Sequence, residues 1–205
     1  MQSWDPRPPT PSSLSDHDVD TLGAELAGLR AALMVTGGIA AFKAPMIARQ
    51  LRRHGAEVQA YLSKEALRYT TVDAMEWSTV NNVIVELTPQ SEHLSKEHPF
   101  DFYLVAPATY NTINKLCYGI ADTPVTTTLA SALSHIARGT SQIFMAPTLH
   151  GDLHNAIFEE SIRTLGGLGV KVLPPRDAYG KHNLPEPEVL VGMICKYYKE
   201  KAVRS

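Results

Sequence analysis

The sequence has few cysteines, no long apolar run and no block of like charge, and each shortage argues against a class of protein. Its two cysteines, Cys117 and Cys195, lie far apart without CxxC spacing, which argues against a disulfide scaffold or a zinc site and suits a reducing compartment. No apolar run approaches the about 20 residues that a membrane-spanning helix requires. The N-terminus holds Asp5 and several prolines where a secretion signal would hold basic and then apolar residues. We therefore expect a cytoplasmic protein without a membrane partner.

The charged side chains are nearly balanced, with 19 basic and 21 acidic residues and a formal net charge of −2. Neither sign forms a long block, so nothing favours nucleic acid as a partner. With 205 residues, 44% of them hydrophobic, the chain can bury one substantial core. Residues 1–28 are typical of a flexible tail rich in proline and serine, followed by a short helix that Ser15 would cap and that would run to Leu29. Residues 29–205 are expected to form a single domain.

Short apolar runs alternate with segments of helical periodicity along the rest of the chain. The predicted strands are 31–36, 57–62, 82–87, 101–106, 142–146 and 170–173. The predicted helices between them are 39–54, 64–68, 109–117, 125–137 and 153–165. Because right-handed crossovers place helices on both faces of a sheet, this alternation predicts an α/β fold with a three-layer, doubly wound parallel sheet.

The most informative strand is the continuous apolar run from Phe102 to Ala106, which is typical of a central strand covered on both faces. Pro107 follows and lacks a backbone donor, so we expect the strand to end there. Ligands of open α/β sheets bind outside the carboxyl ends of the strands. Thr109, Asn111 and Thr112 therefore lie where a cofactor would bind.

Two other turns could bind a phosphate group. Gly37 and Gly38 follow the first strand and open the first helix, so their backbone amides point above the sheet. The alternative is a tight turn whose glycines need a positive φ. Ser63, after the second strand, could donate a further phosphate hydrogen bond or could cap the next helix.

Several polar residues allow more than one interpretation. His93 could act as a base near neutral pH, or it could be an ordinary surface histidine. His150 and His154 have the spacing of zinc-peptidase ligands but lack the intervening glutamate, so a loop that lines a pocket is favoured. Tyr197, Tyr198 and the lysines around them are typical of a solvated C-terminal helix.

Five motifs occur together in the chain. They are Thr36-Gly-Gly-Ile-Ala-Ala-Phe-Lys43, Ser63-Lys-Glu-Ala66, Pro107-Ala-Thr-Tyr-Asn-Thr112, Gly119-Ile-Ala-Asp122 with Thr126-Thr-Thr-Leu129, and His93 at a fixed offset before Asp101. With these motifs, the stretch from Ala31 to Lys196 resembles the flavin-containing cysteine decarboxylases, a family that includes phosphopantothenoylcysteine and lantibiotic peptide decarboxylases.

The resemblance implies a Rossmann-like, flavodoxin-like domain that binds FMN between the subunits of a homotrimer or of a dodecamer built from trimers. It implies oxidative decarboxylation of a cysteine-derived carboxylate, in which flavin accepts hydride and the resulting thioaldehyde lets carbon dioxide leave. His93 would be the base, and Asn111 would hold flavin and substrate in register. The cofactor-binding residues it implies are Gly37, Gly38, Ile39, Ser63, Ser78, Thr109, Tyr110, Asn111 and Thr112.

Two departures from the family pattern concern the substrate. The family's clamp, Pro-x-Met-Asn-x-x-Met-Trp, corresponds to Pro147-Thr-Leu-His-Gly-Asp-Leu-His154, which makes His150, Leu153 and His154 the candidate substrate contacts. The flap cysteine of pantothenate-pathway members is replaced by Tyr179. The reaction would then stop at an enethiol or use another proton donor, either Tyr179 or His182. A phosphopantothenoylcysteine-like substrate is expected.

Two alternatives stay open at this point. Flavin prenyltransferases share the fold, but they start with a Thr-Gly-Ala-Ser-Gly turn whose serine is missing after Thr36. A flavin-binding regulatory subunit without catalysis is compatible with the altered clamp and the absent cysteine, although the presence of His93 and Asn111 favours an enzyme.

Overall fold

A computed structural model describes residues 5–94 and 99–204, so residues 1–4 of the predicted tail lie outside the described residues. Its strands are β1 Arg30–Val35, β2 Glu57–Leu62, β3 Phe102–Ala108, β4 Gln142–Pro147, β5 Leu149–His150, β6 Lys171–Val172, β7 Arg176–Ala178 and β8 Lys181–Asn183. Five of them form a parallel sheet in the order β2-β1-β3-β4-β6. The other three form an antiparallel sheet in the order β5-β8-β7.

Six α-helices are present in the described residues: α1 Ala44–Arg53, α2 Val72–Thr79, α3 Tyr110–Cys117, α4 Pro124–Ala137, α5 Ala156–Gly167 and α6 Pro187–Arg204. Apolar residues of α1, α2 and α6 belong to the core on one face of the parallel sheet, and those of α3, α4 and α5 belong to the core on the other. These three layers confirm the predicted α/β fold. Within the described part of the chain, no helix has both the length and the hydropathy that crossing a membrane requires.

Strand β3 explains how an apolar run specifies this architecture. All seven of its residues are buried. Phe102 and Leu104 face the core that contains α1, whereas Tyr103 and Val105 face the core that contains α3. Because alternate side chains of a strand point to opposite faces, only a strand covered on both sides has apolar residues at every position.

The predicted helix over residues 15–29 is wrong, because the structure has no helix there. The backbone amides of Leu22 and Leu26 instead donate to the carbonyls of Arg53 and His54 at the end of α1. Leu26 is fully buried in the core. Gly28 adopts a positive φ of 76°, which ends any helical path. Tertiary hydrogen bonds and burial thus override the local helical preference.

Two further predictions need correction. The strand expected over 82–87 is reduced to a single bridge between Tyr61 and Ile84 at the β2 edge. The C-terminal helix exists, but Tyr197 and Tyr198 are half-buried against the sheet. Their hydroxyls donate to the side-chain oxygen of Gln142 (3.1 Å) and the carbonyl of Asp101 (3.2 Å). Helix α6 is therefore part of the core layer.

The packing of α6 predicts a large stability difference between two positions on that helix. Leu190 is fully buried and Val203 is 87% exposed. We expect Leu190→Ala to lower the free energy of unfolding by about 2 to 4 kcal/mol, since it leaves a cavity beneath the helix. Val203→Ala is the matched control and should change it by less than about 0.5 kcal/mol. Urea denaturation followed by circular dichroism measures both, and equal effects would contradict the core position of α6.

Candidate active site

The candidate site lies where the sheet changes its direction of winding. Strands β1 and β3 are neighbours in the parallel sheet. The chain leaves β1 toward α1 on one face and leaves β3 toward α3 on the other. The connections diverge and leave a crevice outside the carboxyl ends of the two strands, which is the usual ligand position in this architecture.

A buried hydroxyl joins the two strands beside this crevice. The Thr36 side chain donates to the carbonyl of Pro107 at 2.7 Å, and the Thr109 amide donates to the same Thr36 oxygen at 3.3 Å. Strand β3 continues to Ala108, one residue beyond the predicted end. Its pairing with β4 changes register between Val105 and Ala108. The Thr36 contacts therefore fix the end of β3 where regular pairing fails.

Two adjoining compartments occupy the crevice and share Gly37 and Asn111 as lining residues. The larger has a volume of about 540 Å³. Its lining includes Ile39, Tyr110, Leu149 and Leu153, together with Gly38, Thr109, Thr148, His150, Lys181, His182 and Asn183. The smaller has a volume of about 230 Å³ and a hydroxyl-rich lining that includes Thr36, Ser63, Thr112, Thr123 and Thr126. An extended ligand with an apolar body and a polar end would fit the pair.

Two helical segments begin at the junction of these compartments without a side-chain cap. They are the 3₁₀ turn Ile39–Lys43, which follows Gly38, and α3, which follows Thr109. By contrast, α2, α4 and α5 are capped by Thr71, Thr123 and Asn155. The first amides of a helix lack internal acceptors, and a ligand can supply them when no side chain does. The uncapped pair thus presents donors to whatever fills the crevice.

The glycine turn is required by close packing. Neither Gly37 nor Gly38 has a positive φ. The alternative that these glycines serve a tight turn with positive φ is therefore wrong. A Cβ added at Gly37 would lie 2.2 Å from the Cβ of Glu65 and 3.1 Å from its carbonyl carbon. At Gly38 the nearest atom would be the Thr109 methyl at 3.3 Å. Because Gly37 and Gly38 have no side chain, the turn after β1 can approach Glu65 on one side and Thr109 on the other. The passage between the two compartments stays open.

The polar compartment combines hydroxyls with one ion pair. Ser63 Oγ accepts from the Ala66 amide at 3.2 Å, but the N-cap of the following 3₁₀ turn Ala66–Arg68 is Glu65, so Ser63 is not the predicted N-cap. Its own proton is still available for a ligand. Lys115 pairs with Asp122 at 2.6 Å, and this hydrogen bond lowers the pKa of Asp122. Glu65 also lines the compartment. The neutral hydrogen-bond donors of this compartment are the side-chain hydroxyls and the backbone amides.

The predicted residues of the β3–α3 turn meet at the junction. Thr109 and Thr112 are joined through their hydroxyls at 3.1 Å. Tyr110 lines the larger compartment, and its hydroxyl donates to the Asn155 side chain at 3.3 Å. Asn111 is exposed, and its side-chain amide forms no hydrogen bond within the described residues. Asn111 can therefore offer both a donor and an acceptor to each compartment.

The small antiparallel sheet forms the far wall of the larger compartment. His150 lies in β5, and its Nδ1 accepts from the Asp152 amide at 3.2 Å. The Asp152 carboxylate lies 3.3 Å from the same nitrogen, so Asp152 occupies Nδ1 and leaves Nε2 for a ligand. Lys181 adds an amine to the same wall. Among the described residues no carboxylate lines this compartment, so the wall suits a negatively charged group.

His154 and His182 form a bridged pair at this wall. His154 Nδ1 lies 2.8 Å from His182 Nε2, and His182 Nδ1 lies 2.6 Å from an Asp177 oxygen. His182 lines the larger compartment, whereas His154 does not and lines only a neighbouring pocket that shares His182. Both ring nitrogens of His182 are thus occupied. Tyr179 lies at the hairpin tip and is 92% exposed, away from either compartment.

Besides His154 and Tyr179, two further predicted site residues, Ser78 and His93, lie outside both compartments of the same chain. Ser78 lies in α2, and its hydroxyl donates to the Ala74 carbonyl at 2.6 Å. His93 is half-buried beside Glu92, whose carbonyl accepts from Tyr61 at 2.9 Å. The Nδ1 atom of His93 is buried without a hydrogen-bond partner in the described residues. Its imidazole therefore has an unused polar atom, and neither compartment includes it.

The sequence reasoning missed part of the site lining. Lys181 and Asn183 belong to β8, which turns back from β7 through Tyr179 and Gly180. Both turn residues have positive φ, at 57° and 66°. A two-residue turn of this kind that ends in glycine is a hairpin signal. The sequence contains this turn signal, but the flanking strands have only three residues each and leave no alternating pattern beside it. The hairpin was therefore missed.

The contact between Gly37 and Glu65 predicts a costly substitution. Gly37→Ala should lower the free energy of unfolding by about 1 to 3 kcal/mol, because the added methyl overlaps Glu65. Gly192→Ala is the matched control. A Cβ added at this α6 glycine would meet only open space, so alanine should stabilise the chain by about 0.5 to 1 kcal/mol. Thermal or urea unfolding measures both, and a neutral Gly37→Ala would contradict the close approach of the turns.

Comparisons with known proteins agree with this geometry. The chain is 37% identical over 188 residues to the Coenzyme A biosynthesis bifunctional protein CoaBC of Thermococcus kodakarensis, covering 89% of this chain and 45% of that protein. It is 30% identical over 181 residues to the CoaBC protein of Bacillus subtilis, covering 82% and 43%. The chain thus spans less than half the length of these curated relatives.

Solved structures share the fold. The cypemycin decarboxylase CypD is 26% identical with a TM-score of 0.67, and the match covers 90% of this chain and 99% of that one. A PPC decarboxylase mutant complexed with pantothenoylaminoethenethiol is 22% identical with a TM-score of 0.67, covering 83% and 98%. The family model described as Flavoprotein matches residues 21–199. This chain therefore belongs to the flavoprotein family.

Proposed function

We propose that this chain binds FMN in the crevice and catalyses oxidative decarboxylation of a cysteine-derived carboxylate, with a phosphopantothenoylcysteine-like compound as the expected substrate. The observation that carries the proposal is the pair of uncapped helical starts after Gly38 and Thr109, at the junction of an apolar and a polar compartment. The names of the relatives, which include coenzyme A biosynthesis proteins and decarboxylases, support the same reaction class.

The residues present fit FMN in size and chemistry. The larger compartment, with Ile39 and Leu153 among its walls, suits a flat aromatic ring system. The smaller compartment offers the hydroxyls of Ser63 and Thr126 to a phosphate group. Gly37 belongs to both and leaves the passage between them free of side chains. This fit supports the cofactor-binding roles of Gly37, Gly38, Ile39, Ser63, Thr109, Tyr110, Asn111 and Thr112.

The protein's own contribution is to orient the substrate and exclude water. Bound FMN would supply the capacity to accept hydride. Asn111 reaches both compartments and would hold the substrate in register with the cofactor. His150 would donate from Nε2 to the substrate carboxylate, and Leu153 would shield it. Because both nitrogens of His182 are occupied and Tyr179 points to solvent, we assign any proton donation to the product to His150.

We also propose that His93 acts as the base in the crevice of a neighbouring subunit. Its buried and unpartnered Nδ1 lies outside both compartments of its own chain, which supports a role across a subunit boundary. The assembly would be a homotrimer or a dodecamer of trimers in the cytoplasm. Ile39, Phe42 and Met46 support it, because they expose 68%, 58% and 51% of their surface beside the crevice. Such an apolar stripe is typical of a protein contact.

The proposed reaction is tested with the purified flavin-loaded protein. We expect carbon dioxide release from phosphopantothenoylcysteine or from cysteine-ended peptides, and release of unmodified FMN on denaturation. His150→Ala should raise KM by about tenfold or more, since it removes a hydrogen bond to a charged group. Leu168→Ala, at an exposed position after α5, is the control and should leave KM unchanged. Prenylated flavin, or no carbon dioxide from any of these compounds, would overturn the proposal.

The role of His93 across subunits is tested by mixing two inactive variants. His93→Asn and Asn111→Ala should each lose turnover and keep flavin. In co-assembled trimers about a quarter of the sites would combine an intact Asn111 with an intact neighbouring His93, so activity should return to about a quarter of the parent value.

The control for this experiment is a mixture of His93→Asn with His93→Gln, which should recover nothing. If the mixture of His93→Asn and Asn111→Ala also stays inactive while assembling normally, His93 does not serve a neighbouring subunit.

A further inference from the structure

A second cluster of chemically active side chains lies at the end of the parallel sheet where the strands begin, whereas the crevice lies where they end. Glu25 comes from the segment before β1, His54 from the end of α1, and Cys195 from α6. One ligand atom of each residue lies within 4.8 Å of the other two. His54 precedes the amino end of β2, whereas the crevice lies at the carboxyl ends. The cluster is therefore separate from the proposed FMN site.

We propose that Glu25, His54 and Cys195 bind one zinc ion. Their carboxylate oxygen, imidazole nitrogen and thiolate sulfur form a mixed donor set, which suits Zn²⁺ and excludes the oxygen-seeking cations Ca²⁺ and Mg²⁺. Three protein ligands leave a fourth position for water. The spacing of the two cysteines, which argues against a zinc site, does not report this set of ligands, because they come from three distant parts of the chain.

Burial and access both support the site. The side chains of His54 and Glu25 are 15% and 16% exposed, and Cys195 is 5% exposed. A largely buried site restrains its ligands, and the remaining exposure of His54 and Glu25 gives an ion a path from solvent. Burial, with Glu25 nearby, raises the pKa of the Cys195 thiol to about 11. The metal-free cluster thus holds a neutral thiol beside a carboxylate.

Only small movements convert this cluster into a coordination site. His54 Nδ1 lies 2.8 Å from a Glu25 oxygen. Ligands of a tetrahedral zinc ion lie about 3.3 to 3.8 Å apart, as follows from bonds of about 2.0 to 2.3 Å. His54 would turn its unprotonated nitrogen to the metal, and Cys195 would release its proton to solvent as the zinc–sulfur bond forms.

Lys199 provides the outer contact of the site. Its amine lies 2.7 Å from the other Glu25 oxygen, so it can hold the carboxylate in place while the first oxygen binds the ion. Partners of this kind orient metal ligands and tune affinity. Zinc would thereby tie the segment before β1 to α1 and α6. Stability should consequently rise when the metal is bound.

The test uses the flavin-loaded protein after dialysis against a chelator. Titration calorimetry with Zn²⁺ should show one ion per chain in addition to any bound by the His154–His182 pair, with a rise in Tm. Co²⁺ as a spectroscopic probe should give a thiolate charge-transfer band. Cys195→Ser should abolish that band and weaken zinc binding about tenfold or more. Glu25→Gln should weaken binding while leaving the thiol intact.

Two matched controls identify the ligands. Cys117→Ser removes the half-buried cysteine of α3 and should leave the cobalt band unchanged. His182→Gln removes the bridged pair and should leave the Cys195-dependent ion in place. Circular dichroism and the flavin spectrum show whether each variant is folded. Equal zinc affinity for the parent and Cys195→Ser, or binding that disappears only with His182→Gln, would overturn the proposal.

Discussion

The hydroxyl of Thr36 ties together the two strands between which the proposed cofactor lies. It is 1% exposed and contacts the Pro107 carbonyl and the Thr109 amide at once. Regular pairing of β3 fails at this point, so these two backbone groups depend on Thr36 for a partner. A buried backbone group without a partner costs about 1 to 3 kcal/mol. Thr36 therefore helps to position the β3–α3 turn, together with the Thr148 amide, which donates to the Ala108 carbonyl at 3.0 Å, and with the Tyr110–Asn155 hydrogen bond.

From this constraint the rest of the site follows by geometry. Thr36 holds the β1 turn against the β3 turn, and Gly38 packs against Thr109 and Pro107 of that turn, whereas Gly37 packs against Glu65 after β2. Two uncapped helical starts then face a common space. Backbone amides bind anions and carbonyl groups without reference to a particular side chain. Side chains of the small antiparallel sheet, such as His150, would then distinguish one substrate from another.

The sequence predicts the parallel sheet well because its strands report burial directly. The apolar run at β3 has no polar position, and β2 matches its predicted bounds from Glu57 to Leu62. Predictions fail where distant parts of the chain decide the outcome. The segment before β1 offers Ser15 as a helix cap, but Leu26 is buried in the core and its amide donates to the His54 carbonyl at the end of α1. Tyr197 and Tyr198 find hydrogen-bond acceptors that no local pattern reveals.

The same contrast holds for the site. Gly37, Thr109 and Asn111 could be placed from the sequence, because the carboxyl ends of neighbouring parallel strands meet. The wall formed by β5 and β8 was predicted only in part. The motif comparison marks His150 and His182, whereas Lys181 and Asn183 were missed because these strands are too short to leave a periodic pattern. His93 differs again. Motif spacing marks it, yet the crevice of its own chain does not include it, and only the proposed assembly would join the two.

Hydrogen exchange of the backbone amides tests most directly whether the uncapped helical starts hold the cofactor. Protein stripped of flavin would be compared with the same protein after addition of FMN. We expect new protection of the amides at 39–40 and 110–112, with little change at the capped starts of α2 and α5. Protection confined to other segments, or none at saturating FMN, would contradict the central role of the crevice between β1 and β3.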